Sequence, residues 1–343
     1  MRRIRLELPG KKAVVEDVPK PTPGPGEILM KIAYCGICGS DLHAYQGDHP
    51  FVPLPATPGH EFSGWVEEIG SGVQGFKKGK RVTAEPNLVC GKCYLCKIGR
   101  YNICENLRVM GCQGEGAMAD YFLLPAEKTI PIPDELSLKD AALVEPLAVG
   151  VHAARRAGDL FYKNIVIVGA GTIGLMTLVA VKAAGAREIV ITDLQDERLE
   201  IAKKMGATKT INASKVDAVK EILAMKPFEG WDVVFECVGI EKSIRDSLDI
   251  ARKGGKVIVV GVFGHETKVK MANIQDRETE VIGTLMYVMR DIKTAIELLA
   301  KKSFDTSLII SKTFPLEQCQ DAFDAALKTK ENIKVLFELN PEN

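Results

Sequence analysis

The chain has 343 residues, 46% hydrophobic and 26% charged, a mixture ordinary for a folded protein and long enough for two domains of common size. Lys+Arg and Asp+Glu both number 45, so the formal charge is zero, which removes the electrostatic case for a dedicated nucleic-acid or anionic-membrane binder. The opening residues, MRRIRLELPGKKAVVEDVP, carry basic side chains with no apolar run behind them. They do not read as a signal peptide, and a cytoplasmic location is expected.

Up to about residue 150, short β-rich runs such as 28–33 and 65–69 lie between turn signals like PTPGPGE and GSGVQG, which predicts an irregular, mostly β domain. From Asn164 the pattern becomes regular. IVIVG reads as a buried strand, GLMTLVAVKAAGA as a helix, EIVITD as a strand and ERLEIAKKMGA as a helix. WDVVFECVG and GKVIVVGV repeat the strand signature on either side of the helical EKSIRDSLDIARK, and VIGTLMY reads as the last strand. Strands alternating with helices predict an α/β fold with a doubly wound parallel sheet. DIKTAIELLAKKS adds a helix, and the segment ending in NIKVLFEL is expected to return to the first domain. The expected division is residues 1–150 with 291–343, and residues 151–290. The uncharged run 165–181 is the only span candidate, and Gly169, Gly171 and Gly174 break it, so no membrane partner is expected.

Nine cysteines are many for a cytosolic chain, and most fall between Cys35 and Cys112, a pattern that favours metal over disulfides. Cys90, Cys93, Cys96 and Cys104 lie in one short loop, CGKCYLCKIGRYNIC. Four thiolates there can close a tetrahedral shell around zinc, which fixes a loop and leaves no site for substrate. A second set is dispersed: Cys35 in YCGICGSDLH, His60 and Glu61 in PGHEFSG, and Glu145 in LVEPLAVG. One thiolate, one imidazole and one or two carboxylates can hold zinc with a position left open, although Glu145 also reads as a helix N-terminal acid. A HExxH protease is excluded, because Gly64 stands four residues after His60.

Gly169-Ala170-Gly171-Thr172-Ile173-Gly174 follows a strand and opens a helix, the context in which a pyrophosphate meets a helix N-terminus. Asp193 ends the next strand. A carboxylate there accepts hydrogen bonds from the ribose hydroxyls and repels a 2′-phosphate, which favours NAD over NADP.

On these residues the sequence resembles the zinc-containing medium-chain alcohol dehydrogenase family, in the branch of sorbitol, 2,3-butanediol, threonine and sugar-acid dehydrogenases. YCGICGSDLH, GHEFSGWVEEIGSGV, the cysteine lobe, ALVEPLAVGVHAARRAG and VGAGTIG followed by TDLQDER carry the likeness, which spans essentially the whole chain. It implies a GroES-like catalytic domain, a Rossmann coenzyme domain, NAD, and one catalytic and one structural zinc per subunit. Cys35, His60 and Glu145 match its catalytic zinc ligands, Glu61 the adjacent carboxylate, and Asp41 a group that orients the histidine. Ser40 matches the hydroxyl that takes the substrate proton and His43 the histidine that passes it outward. Ile173, Asp193, Arg198 and the Val260-Gly261-Val262 turn match cofactor contacts. Glu145 stands where the better-known alcohol dehydrogenases have a second cysteine, which points away from ethanol.

The function expected is NAD-linked oxidation of a secondary hydroxyl on a small polyol, diol or sugar acid, in a homo-oligomer of two or four chains. L-Threonine 3-dehydrogenation shares every motif, general alcohol oxidation is a further alternative, and a non-catalytic dinucleotide binder would lack the dispersed ligands. His49, His152 and His265 match no catalytic position, and Cys38, Cys112, Cys237 and Cys319 read as small packing residues, with Cys38 nearest the proposed site. Tyr45, Gln46, Asp48 and His49, just after the proton relay, are candidates to bond extra substrate hydroxyls.

Overall fold

The computed structural model describes residues 1–8, 11–49, 51–225, 230–328 and 332–341. It divides into two compact units, Met1–Glu145 with Val288–Asn343, and Pro146–Tyr287.

The first unit is built on a seven-stranded mixed sheet. Its order is Ile310–Pro315, Lys334–Glu338, Glu27–Gly36, Glu61–Ile69, Arg81–Ala84 and Thr129–Pro131, with Tyr121–Pro125 also paired to Glu27–Gly36. Glu27–Gly36 is the hub. Its last residues pair with Phe62 and Glu61 on one side and with Phe337 and Leu336 on the other. Apolar side chains, among them Phe62, Phe122, Phe323 and Phe337, fill the core beside it. An eight-residue helix, Gly39–Gln46, follows the hub strand directly and ends on Gly47 in the left-handed conformation. The mostly β reading of this region did not anticipate it: Gly and Ser near its start are poor helix formers, so packing rather than propensity holds it.

The second unit has six parallel strands in the order Lys209–Asn212, Glu188–Asp193, Asn164–Val168, Trp231–Glu236, Ala251–Val259 and Glu280–Gly283. The four inner strands carry buried apolar runs, IVIV in Asn164–Val168, IVI in Glu188–Asp193, VVF in Trp231–Glu236 and VI near the end of Ala251–Val259, as strands covered on both faces do. The order reverses between Asn164–Val168 and Trp231–Glu236, the kind of switch point at which a doubly wound sheet binds ligands beyond its strand ends. Two differences from the sequence reading stand out. Strand Lys209–Asn212 and helix Ala218–Met225 were not foreseen, since TKTIN is short, polar and at the sheet edge. The helix Glu241–Ile250 also stops before Arg252 and Lys253, which join an irregular start of the next strand. Among the described residues no helix is long and apolar enough to cross a membrane.

Candidate functional site

The four clustered cysteines converge as their spacing suggests. Sulfurs sharing one tetrahedral zinc at about 2.3 Å lie about 3.8 Å apart. Here Cys104 Sγ lies 3.5 Å from Cys90 and 3.9 Å from Cys93, and Cys90 lies 4.0 Å from Cys96. Backbone N–H groups point at these sulfurs: Cys93 donates to Cys90 at 3.3 Å, Cys90 and Asn106 to Cys104 at 3.3 and 3.4 Å. The N–H groups of Lys92 and Cys93 pull the Cys90 thiol down to about 6, so a thiolate, the form that binds metal, is favoured there.

A second group lies at the end of the hub strand. Ligand atoms of Cys38, His60 and Glu61 all fall within 4.8 Å of one another, and His60 and Glu61 are buried. Cys35, expected in this group, is not part of it. The pleat of Glu27–Gly36 turns its side chain into the core, its Sγ faces the Gly36 carbonyl at 3.9 Å, and burial, with Asp41 and Glu61, pushes the thiol well above its ordinary range. Cys38 sits three residues later, past the strand end, at the N-cap of the helix Gly39–Gln46.

Charge around the group is arranged in layers. Asp41 is buried, accepts from the N–H groups of Cys38 (2.9 Å) and Gly59 (3.3 Å), and lies 3.8 Å from His60 Nδ1. Burial pulls the His60 imidazolium down, but Asp41, Cys38 and Cys112 outweigh it and hold its pKa well above the ordinary value. Glu61 is held by Lys334, whose Nζ donates to both carboxylate oxygens at 2.7 and 2.6 Å and to the Ile37 carbonyl at 2.9 Å. Gly36 leaves the space that Glu61 needs, since a Cβ there would meet Glu61 Oε2 at 2.2 Å. Burial opposes the Lys334 charge, while Glu61, Cys38 and Glu145 raise its pKa, so Glu145 acts on this pocket too without joining the three-residue group. Glu145 lies in the first turn of the helix Val144–Ala157.

Ser40 is half-buried and His43 exposed on the helix Gly39–Gln46, an order from inside to outside. Tyr45 does not face a substrate. It is buried, stacks on Phe323 with centroids 4.9 Å apart, donates to Asp324 at 2.9 Å and accepts from Gln320.

In the second unit the expected glycine turn lies at the end of Asn164–Val168 and opens the helix Thr172–Ala183. A Cβ on Gly174 would meet the Gly169 carbonyl oxygen at 1.8 Å, so only glycine permits this turn. Asp193 accepts from Ala170 N at 2.8 Å and from Leu194 and Gln195 N at 2.7 and 3.0 Å, with Arg198 Nη1 3.7 Å away. Ile173, Gly171, Val260 and Gly261 are half-buried, and Val262 is 89% exposed.

Three contributors were missed. Cys38 was assigned to packing, although it lies three residues from the cysteine chosen. Lys334 stood only as part of a returning strand, and a lysine inside the apolar run IKVLFEL was its available signal. Cys112, also read as packing, is among the groups that hold the His60 pKa up.

Residues 24–134 match the family described as alcohol dehydrogenase GroES-like domain, and residues 172–301 the family described as zinc-binding dehydrogenase. The chain is 39% identical over 328 residues to sorbitol dehydrogenase from Bacillus subtilis (strain 168), covering 94% of this chain and 93% of that protein. It is 35% identical over 325 residues to L-threonine 3-dehydrogenase from Chromobacterium violaceum, covering 94% and 95%. Among solved structures, one described as a zinc-binding dehydrogenase from Sinorhizobium meliloti 1021 bound to NADP superposes with a TM-score of 0.91 at 33% identity, covering 98% of each chain.

Proposed function

The chain belongs to the zinc-containing medium-chain alcohol dehydrogenase family, and on that premise we propose that it oxidises a secondary hydroxyl of a small polyol, diol or sugar acid with NAD. Its general class is oxidoreductase acting on CH–OH with zinc and a nicotinamide dinucleotide. The observation that carries the finer reading is the group of half-buried Cys38 with buried His60 and Glu61, backed by Asp41 and Lys334 and separate from the four-cysteine cluster.

In this reading Cys38 and His60 hold the catalytic zinc, and Cys38 takes the place first assigned to Cys35. Asp41 orients the imidazole from its Nδ1 side. Glu61, already gripped by Lys334, serves the site through its charge or a water, and Glu145 completes the carboxylate set. Cys90, Cys93, Cys96 and Cys104 hold a structural zinc. When bound, zinc would supply Lewis acidity at the substrate hydroxyl and the dinucleotide would supply the hydride acceptor. Half-buried Ser40 takes the hydroxyl proton and exposed His43 releases it to solvent. Gly169, Gly171, Ile173, Gly174, Asp193, Arg198, Val260, Gly261 and Val262 bind the dinucleotide, with Asp193 reading the ribose. A cytoplasmic dimer or tetramer completes the proposal.

A threonine substrate is the second reading, favoured by the 35% identity to a threonine 3-dehydrogenase. A panel of hexitols, 2,3-butanediol, hexonates, L-threonine, 2-butanol and ethanol, each scanned with NAD for NADH absorbance, tests both. Higher catalytic efficiency on the polyhydroxylated compounds is expected, because a site that pairs with a hydroxyl rejects analogues lacking it. Monohydric alcohols winning throughout would overturn the substrate class, and L-threonine winning would select the second reading.

A further inference from the structure

At the switch point of the parallel sheet, one buried carboxylate organises two loops at once. Glu236 ends the strand Trp231–Glu236 and is fully buried. Its Oε1 accepts from Val238 N and Gly239 N, both at 2.8 Å, and from the Ser243 hydroxyl at 2.6 Å. Its backbone carbonyl accepts from Val260 N at 2.8 Å and Gly261 N at 2.9 Å, in the turn that follows the neighbouring strand. Cys237 N, next in sequence, donates to the Val168 carbonyl at 2.9 Å, just before the glycine turn. The two loops meet backbone to backbone: a Cβ on Gly261 would lie 2.3 Å from Gly239 N and 2.7 Å from Glu236 Oε2. That second oxygen has no hydrogen-bond partner among the described residues.

Such a residue is costly to bury, and a packed core does not require it. Charge-assisted hydrogen bonds to three donors on one oxygen give it a geometric task instead, that of fixing the turn 237–239 against the turn 260–262. Both turns carry exposed apolar side chains, Val238 at 44% and Val262 at 89%. Apolar side chains held at the strand ends suit the flat rings of a dinucleotide.

We propose that Glu236 is a positioning residue for the nicotinamide dinucleotide, locking the turns 237–239 and 260–262 into one preformed rim on which Val238 and Val262 meet the cofactor. The inference rests on the reading of this edge as the dinucleotide site. Preorganisation of this kind strengthens binding by removing an ordering cost, so its loss appears in cofactor affinity before anything else.

The test measures NADH binding to the zinc-loaded enzyme by fluorescence without alcohol, together with thermal midpoint and zinc content. Glu236→Ala is expected to raise the NADH Kd and the KM for NAD by about tenfold or more, leaving the KM for the alcohol and the zinc content near wild type. Glu236→Gln keeps the Oε1 acceptor and should restore most of the affinity. Because Glu236→Ala risks misfolding, Ser243→Ala serves as a second variant. It removes one of the three donors to Glu236 Oε1 with the carboxylate intact and should give the same signature in weaker form. The proposal falls if both variants bind NADH like wild type, or if affinity is lost only in proportion to the unfolded fraction. Wild-type protein that binds neither NADH nor NADPH would sink the reading of the edge itself, and this inference with it.

Discussion

Replacing each cysteine of YCGIC by serine should have opposite consequences. Cys38→Ser removes a thiolate from the group with His60 and Glu61, and turnover should fall by at least about a hundredfold. Cys35→Ser places a hydroxyl in a dry core, so it should cost about 1–3 kcal/mol of stability while turnover of the folded fraction stays near wild type. Parallel kcat and urea-midpoint measurements decide it, and the reverse pattern would return the metal to Cys35. Asp193 offers a second residue-level check. Its carboxylate already takes three backbone N–H groups and stands 3.7 Å from Arg198. The wild-type enzyme should prefer NAD to NADP by at least about tenfold in kcat/KM. Asp193→Ala should shrink that ratio by removing the repulsion and freeing Arg198 for a 2′-phosphate, and a wild type that prefers NADP would dismiss Asp193 as the ribose reader. The residue types of the site were legible from sequence, whereas the choice between two cysteines three apart was not. That choice depends on where a strand stops, and strand ends are set by pairing with Glu61 and Leu336 far along the chain.

At the scale of elements, the helix Gly39–Gln46 carries Ser40 and His43 yet is short and poor in helix formers, so its anchorage matters. Tyr45 pins it to the helix Cys319–Leu327 through Phe323, Asp324 and Gln320. Burial, and then the Asp324 carboxylate, push the phenol from 10 up to about 12. The folded state therefore keeps a proton that the unfolded chain gives up. This contribution is complete below pH 10 and is lost as pH rises through about 12. Tyr45→Phe should cost about 2 kcal/mol at neutral pH and flatten the fall in stability between pH 10 and 12, read by urea unfolding across that range. An unchanged alkaline slope would show that the phenol titrates as an exposed one. The long βαβ elements were legible because strands and helices announce themselves by period. This helix was not, because its support lies nearly three hundred residues downstream.

For the whole molecule, the alternation of strands and helices revealed the parallel sheet, and local motifs revealed the two kinds of cysteine cluster. The segment ending in NIKVLFEL is expected from sequence to return to the first domain, but the strand it joins left no such mark, since the two pair across nearly the whole length of the chain. Lys334–Glu338 lies between Ile310–Pro315 and the hub strand, and it carries the lysine that meets Glu61 from 273 positions away. Synthesis on a ribosome gives this arrangement a timetable. The segment 146–287 is continuous and can fold as soon as it emerges. The end of the hub strand at Tyr34–Gly36, by contrast, stays unpaired on one side and Glu61 lacks its cation until residue 334 has cleared the exit tunnel. Stalled nascent chains ending near residue 310, probed by limited proteolysis, should thus protect 146–287 while leaving the earlier strands open to cleavage. Equal protection of both would mean that the hub sheet closes without its last strand. In a growing polypeptide, the charge balance of this pocket is among the final properties to arrive, and a chain cut short before residue 334 is born with Glu61 lacking its cation.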